Sequence, residues 1–509
     1  MDPIADRIVC TDPQAESKET GDKGLGLFAT SHLRPGDNVF AITANFATVL
    51  DTDRLADTCS NCFATVGDEV NPDLTLKACT GCRVVKYCDT RCQSESWAAS
   101  HKKECKIYKK WYPKILPSNG RAVLRIISEP DRPIFKEMYL HHVAATNTLS
   151  YHFSEMRKRD DEQLERVAIS AEALKALTET DAPLEALLVL FTKLETNAVT
   201  LTNQYFDTIG LCLLPFASYT NHSCEPNAYI GFDGQVMYMK ALQDIRPGEQ
   251  IYISYIDNTN PFETRQRELR SRYFFTCHCP KCLKGTNTRE DEYLNNETPP
   301  SQTAIDEAYR ILAMLKARNC PPSKPPHARP AVGLMMLQSS GCWPITRQFY
   351  PQLHDELIVK LLDEKRFKSA FMPAAVRHLR IDPVLYTNPL HPIRKRNMWA
   401  FAKLVRYLND PADGDESPAR TEYEHRADFV WLWYSLLSDL NRTYNDTLRL
   451  RALLQTSLKD IIEDLKRSGV DFKTAGGQRQ IKTAVDNAWQ NLEKTVDKLL
   501  SRKPFKYDL

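Results

Sequence analysis

Eight residues between positions 59 and 105 have the types and spacing of metal ligands: Cys59-x2-Cys62-x16-Cys79-x2-Cys82-x5-Cys88-x3-Cys92-x8-His101-x3-Cys105. A structural zinc ion takes four Cys or His ligands in a closed tetrahedron, so eight ligands match two such sites. Each C-x2-C pair chelates because the turn between the cysteines aims both sulfurs at one centre. His101 and Cys105, four apart, would share a helix face. A second group, Cys277-x-Cys279-x2-Cys282, offers three ligands in six residues and needs a fourth from elsewhere. Cys224 is the nearest upstream candidate and Cys212 its rival. A catalytic zinc with an open water position is the competing chemistry, disfavoured because such sites seldom take three thiolates from one short loop. Around Cys224, the string Asn221-His222-Ser223-Cys224-Glu225-Pro226-Asn227 is dense in polar and turn-forming residues. Taken by itself it reads as a capped turn between two apolar strands.

The fifteen cysteines of this 509-residue chain are explained more readily by metal than by disulfides, which reducing compartments disfavour. Cys10, Cys212, Cys320 and Cys342 stand apart from the clusters and suit small buried hydrophobes. Hydrophobic residues make up 42% and charged residues 26%, which excludes chain-wide disorder, collagen-like sequence and coiled coil. Lys+Arg (67) nearly cancels Asp+Glu (65), so no global field draws the protein to nucleic acid or an anionic membrane. The longest apolar runs, 184–191 and 429–437, fall short of the roughly 20 residues a bilayer requires. The amino-terminal M-D-P-I-A-D-R lacks a signal-peptide pattern. A soluble protein of the cytoplasm, the nucleus or both is expected, with no membrane partner.

The elements that must position these residues are legible in outline. Arg34-Pro35-Gly36-Asp37 and Arg246-Pro247-Gly248-Glu249 each specify a type II turn, with Pro at i+1 and Gly at i+2. Strand-forming residues follow both turns. Two such units some 200 residues apart predict one β-rich domain interrupted by insertions. The first insertion is the cysteine-rich segment. The second reads as helix, through E-R-V-A-I-S-A-E-A-L-K-A-L and L-E-A-L-L-V-L-F-T-K-L. After Cys282 the chain is helical. Leu454, Leu458, Ile461 and Leu465 form one stripe, stopped by Gly469, and Ile481, Val485, Trp489, Leu492, Val496 and Leu499 form another.

The flanking residues Y-C-D-T-R-C-Q and W-A-A-S-H-K-K-E-C resemble a MYND zinc finger. That resemblance implies interleaved sites, with Cys59, Cys62, Cys88 and Cys92 on one ion and Cys79, Cys82, His101 and Cys105 on the other. Spacing by itself leaves the pairing open. The N-H-S-C-x-P-N string, with K-G-L-G-L at 23–27, I-S-Y at 253–255 and the cysteine triplet behind it, resembles a SET domain. Together they resemble the SET and MYND domain lysine methyltransferases, by specific motifs to about residue 285 and by helical character beyond.

The resemblance implies an α+β fold: a β-rich split SET domain with an inserted MYND zinc finger and a helical insertion, plus an all-α C-terminal domain. The boundaries expected are 1–54 for the SET N-terminal part, 55–108 for the finger and 109–200 for the helical insertion. The core SET would be 201–257, the post-SET zinc segment 258–286 and the helical domain 287–509. It also implies methyl transfer from S-adenosylmethionine to the ε-amine of a lysine in a protein substrate, with three zinc ions. Lys23, Gly24, Leu25, Gly26, Asn197, Asn221, His222, Tyr255 and Phe275 would hold the cofactor, the glycines by letting backbone approach it. Leu25 stands where many relatives carry a polar or basic residue, which leaves a backbone contact and removes a side-chain one. Tyr255 would be the catalytic tyrosine, Phe216 and Tyr219 the channel walls, and Cys224 the fourth ligand of Cys277, Cys279 and Cys282. The rival reading is an idle scaffold whose finger binds proline-containing peptides. The segment 81–110, with eight Lys/Arg against three Asp/Glu, offers a basic face for nucleic acid or an acidic partner. A monomer is expected.

Overall fold

Both Arg-Pro-Gly turns form as their sequences dictate. Gly36 and Gly248 sit at φ +91° and +81°. The turns close through Asp37 N–H to Arg34 O and Glu249 N–H to Arg246 O, each 3.0 Å. In each the fourth residue's carboxylate accepts from the first residue's N–H, at 2.8 and 2.9 Å. Just before them, Leu33 and Ile245 form an antiparallel bridge with two 2.9 Å hydrogen bonds. The two ends of the interrupted domain meet there.

The computed structural model describes residues 12–21, 24–128, 152–159, 162–316, 325–409, 428–443, 446–502 and 507. Lys23, Cys10 and Cys320 lie outside them. Among the described residues, four strands come from the first fifty positions: β1 (Ala15–Glu19), β2 (Leu25–Ala29), β3 (Asn38–Thr43) and β4 (Ala47–Leu50). The cysteine-rich insertion adds only β5 (Lys77–Ala78) and β6 (Lys86–Tyr87). Six strands follow the helical insertion: β7 (Val199–Thr202), β8 (Thr208–Leu213), β9 (Asn221–His222), β10 (Ala228–Asp233), β11 (Val236–Ala241) and β12 (Gln250–Ile253). They assemble as sheets β1-β2-β12-β9, β10-β11-β3, β4-β8-β7 and β5-β6. Three of the four sheets therefore mix early and late strands, as a split domain requires. β12 is the hinge of this arrangement: antiparallel to β2 (Ile251 opposite Leu27) and parallel to β9 (Tyr252 opposite Asn221, Ile253 opposite His222). β11, whose six residues are all buried, fills the centre of its sheet with Val, Met and Tyr.

The finger's α1 (Thr90–Ser96) begins at Asp89, whose carboxylate accepts from Cys92 N–H at 2.6 Å. Behind it run α2 (Lys102–Trp111), α3 (Ser118–Ile127), α4 (Glu162–Thr178) and α5 (Leu184–Asn197). After β8 comes the short α6 (Pro215–Ser218), and after β12 α7 (Phe262–Tyr273). The chain divides into two compact units. One comprises Met1–Ile256, Gln266–Cys279 and Asp446–Leu450; the other comprises Asp257–Arg265, Pro280–Asn445 and Arg451–Leu509.

The second unit is helical: α8 (Gln302–Lys316), α9 (Ala328–Ser339), α10 (Tyr350–Asp363), α11 (Phe367–Val376), α12 (Pro392–Asn409), α13 (Phe429–Thr443), α14 (Leu448–Arg467, from Arg451 onward) and α15 (Ala475–Leu500). From α8 to α13 each helix packs on the next. Leu353, Leu357 and Leu361, one per turn of α10, are fully buried. The stripe on α14 is buried at Leu454, Ile461 and Leu465 and half-buried at Leu458. Gly469 ends that helix at φ +88°. There Val470 N–H reaches back to Leu465 O at 3.0 Å, satisfying a carbonyl the helix leaves open.

Candidate active site and metal centres

Three groups of four ligand atoms each lie within 4.8 Å of one another: Cys59, Cys62, Cys88 and Cys92; Cys79, Cys82, His101 and Cys105; Cys224, Cys277, Cys279 and Cys282. In the first, Cys62 and Cys88 sulfurs are 3.7 Å apart and those of Cys88 and Cys92 3.3 Å. In the second, His101 Nε2 stands 3.4 Å from Cys79 Sγ and 3.7 Å from Cys82 Sγ, with Cys79 and Cys105 at 3.9 Å. Tetrahedral zinc with bonds near 2.3 Å puts its sulfurs roughly 3.8 Å apart, so the donor sets and spacings fit such an ion. Four thiols this close cannot all ionise against one another without a cation between them. In the third group Cys279 lies just before the short helix Pro280–Leu283, which carries Cys282.

Cys212, the rival fourth ligand, is absent from that group. It lies in β8, fully buried, with Thr48 Oγ1 donating to its sulfur at 3.1 Å, and burial pushes its thiol up to about 12. It is a core residue.

Around the clusters stand polar groups that spacing did not reveal. Glu104 is 1% exposed. Its carboxylate takes Arg125 Nε at 2.7 Å and Nη2 at 3.2 Å, and lies 3.8 Å from Nδ1 of His101. Burial would raise this carboxyl, but Arg125 and His101 hold it down at about 2. Arg125 also donates to the carbonyl of Thr48 in β4, so the finger's second cluster leans on the β-rich core. At the third cluster, Gln266 brackets the backbone of Cys277, donating to its carbonyl at 2.8 Å and accepting from its N–H at 3.1 Å.

The polar string from Asn221 to Asn227 runs through β9 into a turn. Asn221 Nδ2 donates to Leu25 O at 3.1 Å, joining the string to the glycine loop. Gly24 has φ +67° and open space where a Cβ would stand. Gly26 differs: a Cβ there would come within 2.2 Å of Gln250 Nε2 and 3.0 Å of Asn221 Nδ2. Its missing side chain makes room for neighbouring protein groups. Asn227, at the end of the string, donates to Gln250 O at 2.9 Å and accepts from Tyr252 N–H at 2.7 Å. It clamps β12 just before Tyr255.

Tyr255 leaves the end of β12 and turns its ring back on the string. Its hydroxyl donates to Thr220 O at 2.6 Å and its backbone N–H to Nδ1 of His222 at 3.0 Å. Burial, assisted by neighbouring Tyr273, pushes the Tyr255 phenol well above its ordinary value. Tyr273, which sequence reasoning missed, puts its ring 4.9 Å from that of Tyr255 and its hydroxyl 3.3 Å from the Tyr255 carbonyl. Phe275 lies 6.0 Å, ring to ring, from His222. Two buried polar atoms in this neighbourhood, Gln250 Nε2 and Thr220 Oγ1, have no hydrogen-bond partner among the described residues. They leave bonding capacity for a polar ligand beside Gly26 and Asn221. Asn197, at the end of α5, donates from its side-chain Nδ2 to Lys193 O at 2.8 Å, and its backbone carbonyl accepts from Ser218 Oγ at 3.2 Å. Phe216 is half-buried, its ring 5.5 Å from that of Phe40, and Tyr219 is half-buried beside it.

Residues 24–256 match the family model of the SET domain. The chain is 30% identical over 271 residues to "SET domain and MYND-type zinc finger protein 6" of Schizosaccharomyces pombe, covering 53% of this chain and 52% of that protein. It is 29% identical over 322 residues to the human "Histone-lysine N-methyltransferase SMYD3", covering 60% and 72%. With the "N-lysine methyltransferase SMYD2" of Sus scrofa it shares 30% over 299 residues, covering 57% and 65%. The alignment thus spans about half the length of the first of these relatives and about two thirds of the others. Among the described residues no helix is long and apolar enough to cross a membrane.

Proposed function

We infer from its membership of the SET and MYND domain family that this chain transfers a methyl group from S-adenosylmethionine to the ε-amine of a lysine in a protein substrate. One observation carries the reading. Asn221, the glycine loop, His222 and Tyr255, from three distant stretches of chain, form a continuous hydrogen-bonded set. When bound, S-adenosylmethionine supplies an electrophilic methyl on a sulfonium sulfur. Asn221, Gln250 and Thr220 would hold its polar groups, and Phe275 would cover its adenine.

The remaining work falls to protein residues. A free lysine, with a pKa near 10.4, is almost wholly protonated at neutral pH and cannot attack. A dry, aromatic entrance formed by Tyr255, Tyr273, Phe216 and Tyr219 would disfavour the ammonium and release the proton to water. Tyr255 would orient the amine. Its raised pKa keeps the phenol neutral at pH 7, so it serves as a dipole rather than as the base that removes the proton. Alignment then supplies most of the rate. Three zinc ions, one per cluster, would hold the finger and the loop behind the tyrosine.

Transfer of a tritiated methyl group to protein lysines is the direct test. Wild type should label substrate, and Tyr255→Phe should lose about 100-fold in kcat while still binding S-adenosylmethionine. A wild-type protein that binds no S-adenosylmethionine would leave the scaffold reading. That second reading draws on Trp97, 41% exposed on the finger. An open indole is the kind of surface on which proline-rich peptides dock, and Trp97→Ala would abolish capture of such peptides.

A further inference from the structure

We propose that the His222 imidazole is a positioning group, locked as the tautomer protonated at Nε2, that ties the Cys224 sulfur to the backbone of Tyr255. The proposal deepens the methyl-transfer reading and rests on it for its catalytic consequence. Its core is two hydrogen bonds. Nδ1 of His222 lies 3.0 Å from the amide nitrogen of Tyr255. A backbone N–H only donates, so Nδ1 must offer its lone pair, and in a neutral imidazole the single proton then sits on Nε2. Nε2 stands 3.3 Å from Cys224 Sγ, within reach of an N–H donating to sulfur. Both nitrogens are thereby committed, and a ring flipped by 180° would set carbons where they now make contact. His222 is 9% exposed, and its ring packs 5.3 Å from that of Tyr255.

The backbone reinforces the link. Ile253 pairs with His222 in the parallel β9–β12 ladder, and Ser223 N–H continues it to Ile253 O at 3.0 Å. Cys224 belongs to the third cluster. A metal-bound thiolate there would hold the Nε2 proton, orient the ring and so fix the amide of the residue whose hydroxyl faces the chemistry. Second-layer partners of metal ligands act in this way. Here the chain runs outward from the metal, through histidine, to the tyrosine. Metal occupancy and the placement of Tyr255 become one coupled state.

Two half-substitutions separate the bonds. His222→Asn places an amide oxygen near the position of Nδ1, able to accept from Tyr255 N–H, but reaches no sulfur. His222→Gln brings an amide N–H toward Cys224 and leaves Tyr255 N–H without its acceptor. In the full zinc-loaded chain, chelator-driven release is followed by native mass spectrometry, with Cys224→Ser marking loss of the third ion. His222→Asn should release that ion about tenfold faster than wild type, and His222→Gln should release it near the wild-type rate. Equal release from both variants overturns the proposal. Nitrogen-15 imidazole spectra give a second readout: the resonance lost in His222→Asn should carry the Nε2–H pattern. An Nδ1–H pattern overturns the assignment. Neither readout needs methyl transfer. A protein with the expected tautomer and release rates but no activity would sink the enzymatic reading alone.

Discussion

Asn227 holds the strand that leads into Tyr255. Its amide satisfies a carbonyl and an N–H on β12, at 2.9 and 2.7 Å, three to five residues before Tyr255. Asn227→Ala would leave both backbone groups unpaired, lowering stability by about 2–3 kcal/mol in urea unfolding. Asn227→Asp, which keeps only the acceptor, should fall between. Neither this clamp nor Glu104, Gln266 and Tyr273 could be read from spacing. Their partners Gln250, Arg125, Cys277 and Tyr255 lie 11 to 23 positions away, with no periodicity linking them. The metal ligands were legible because a C-x2-C turn is local geometry. Glycines were half legible. Positive φ at Gly24, Gly36 and Gly248 follows from turn chemistry, whereas the crowding at Gly26 comes from Thr20 nearby in the chain and from Gln250 and Asn221, more than 190 positions downstream.

Elements carry two further predictions. The finger's α2 offers Glu104 to α3 through Arg125, while facing His101 on its other side. Glu104→Gln would remove the negative charge that balances a buried guanidinium and stands beside His101 Nδ1. Zinc should leave the second cluster about tenfold faster under a chelator, with the first cluster unchanged. In the helical unit, the stretch after α11 holds Arg377 between two carboxylates, at 2.8 Å from Asp382 and 3.2 Å from Asp355. Burial pushes Asp382 up to about 7 despite that guanidinium. An unfolded aspartate titrates near 3.9, so between roughly pH 4 and 7 the folded unit binds a proton that the unfolded chain has shed. The stability this contributes is complete below the unfolded pKa and is lost as pH rises through about 7. Thermal unfolding from pH 5 to 8 should show a falling melting temperature. In Asp382→Asn the same plot should be flatter, whatever the variant's absolute stability.

At the scale of the whole molecule the two units rest on different physics. The helical unit buries leucine stripes, helix on helix, and needs no ligand to do so. The finger has two strands of two residues each and short helices around eight ligands, too little regular structure to persist by apolar burial. Metal removal should therefore act unevenly. A strong chelator is expected to release three zinc ions per chain and expose finger amides to hydrogen exchange, while α10 to α13 keep their protection. Uniform loss of protection would contradict this division. Methyl transfer should fail with release of the third ion, because that cluster reaches Tyr255 through His222.

The amino-acid sequence by itself determined everything local: chelating cysteine pairs, the two Pro-Gly turns, the amphipathic stripes of α14 and α15 and the glycine that stops α14. Each depends on torsion angles and spacings within a few residues. The tertiary structure decided which distant pieces meet. Cys59 and Cys62 share a cluster with Cys88 and Cys92, while Cys79 and Cys82 join His101 and Cys105. Loop-closure entropy changes too slowly with length for spacing to choose between such partners. β12 likewise lies beside β2 and β9, strands from opposite ends of the split domain, because its two edges complete ladders that only the folded core aligns. The tyrosine, the histidine and the glycine loop become one site through that alignment.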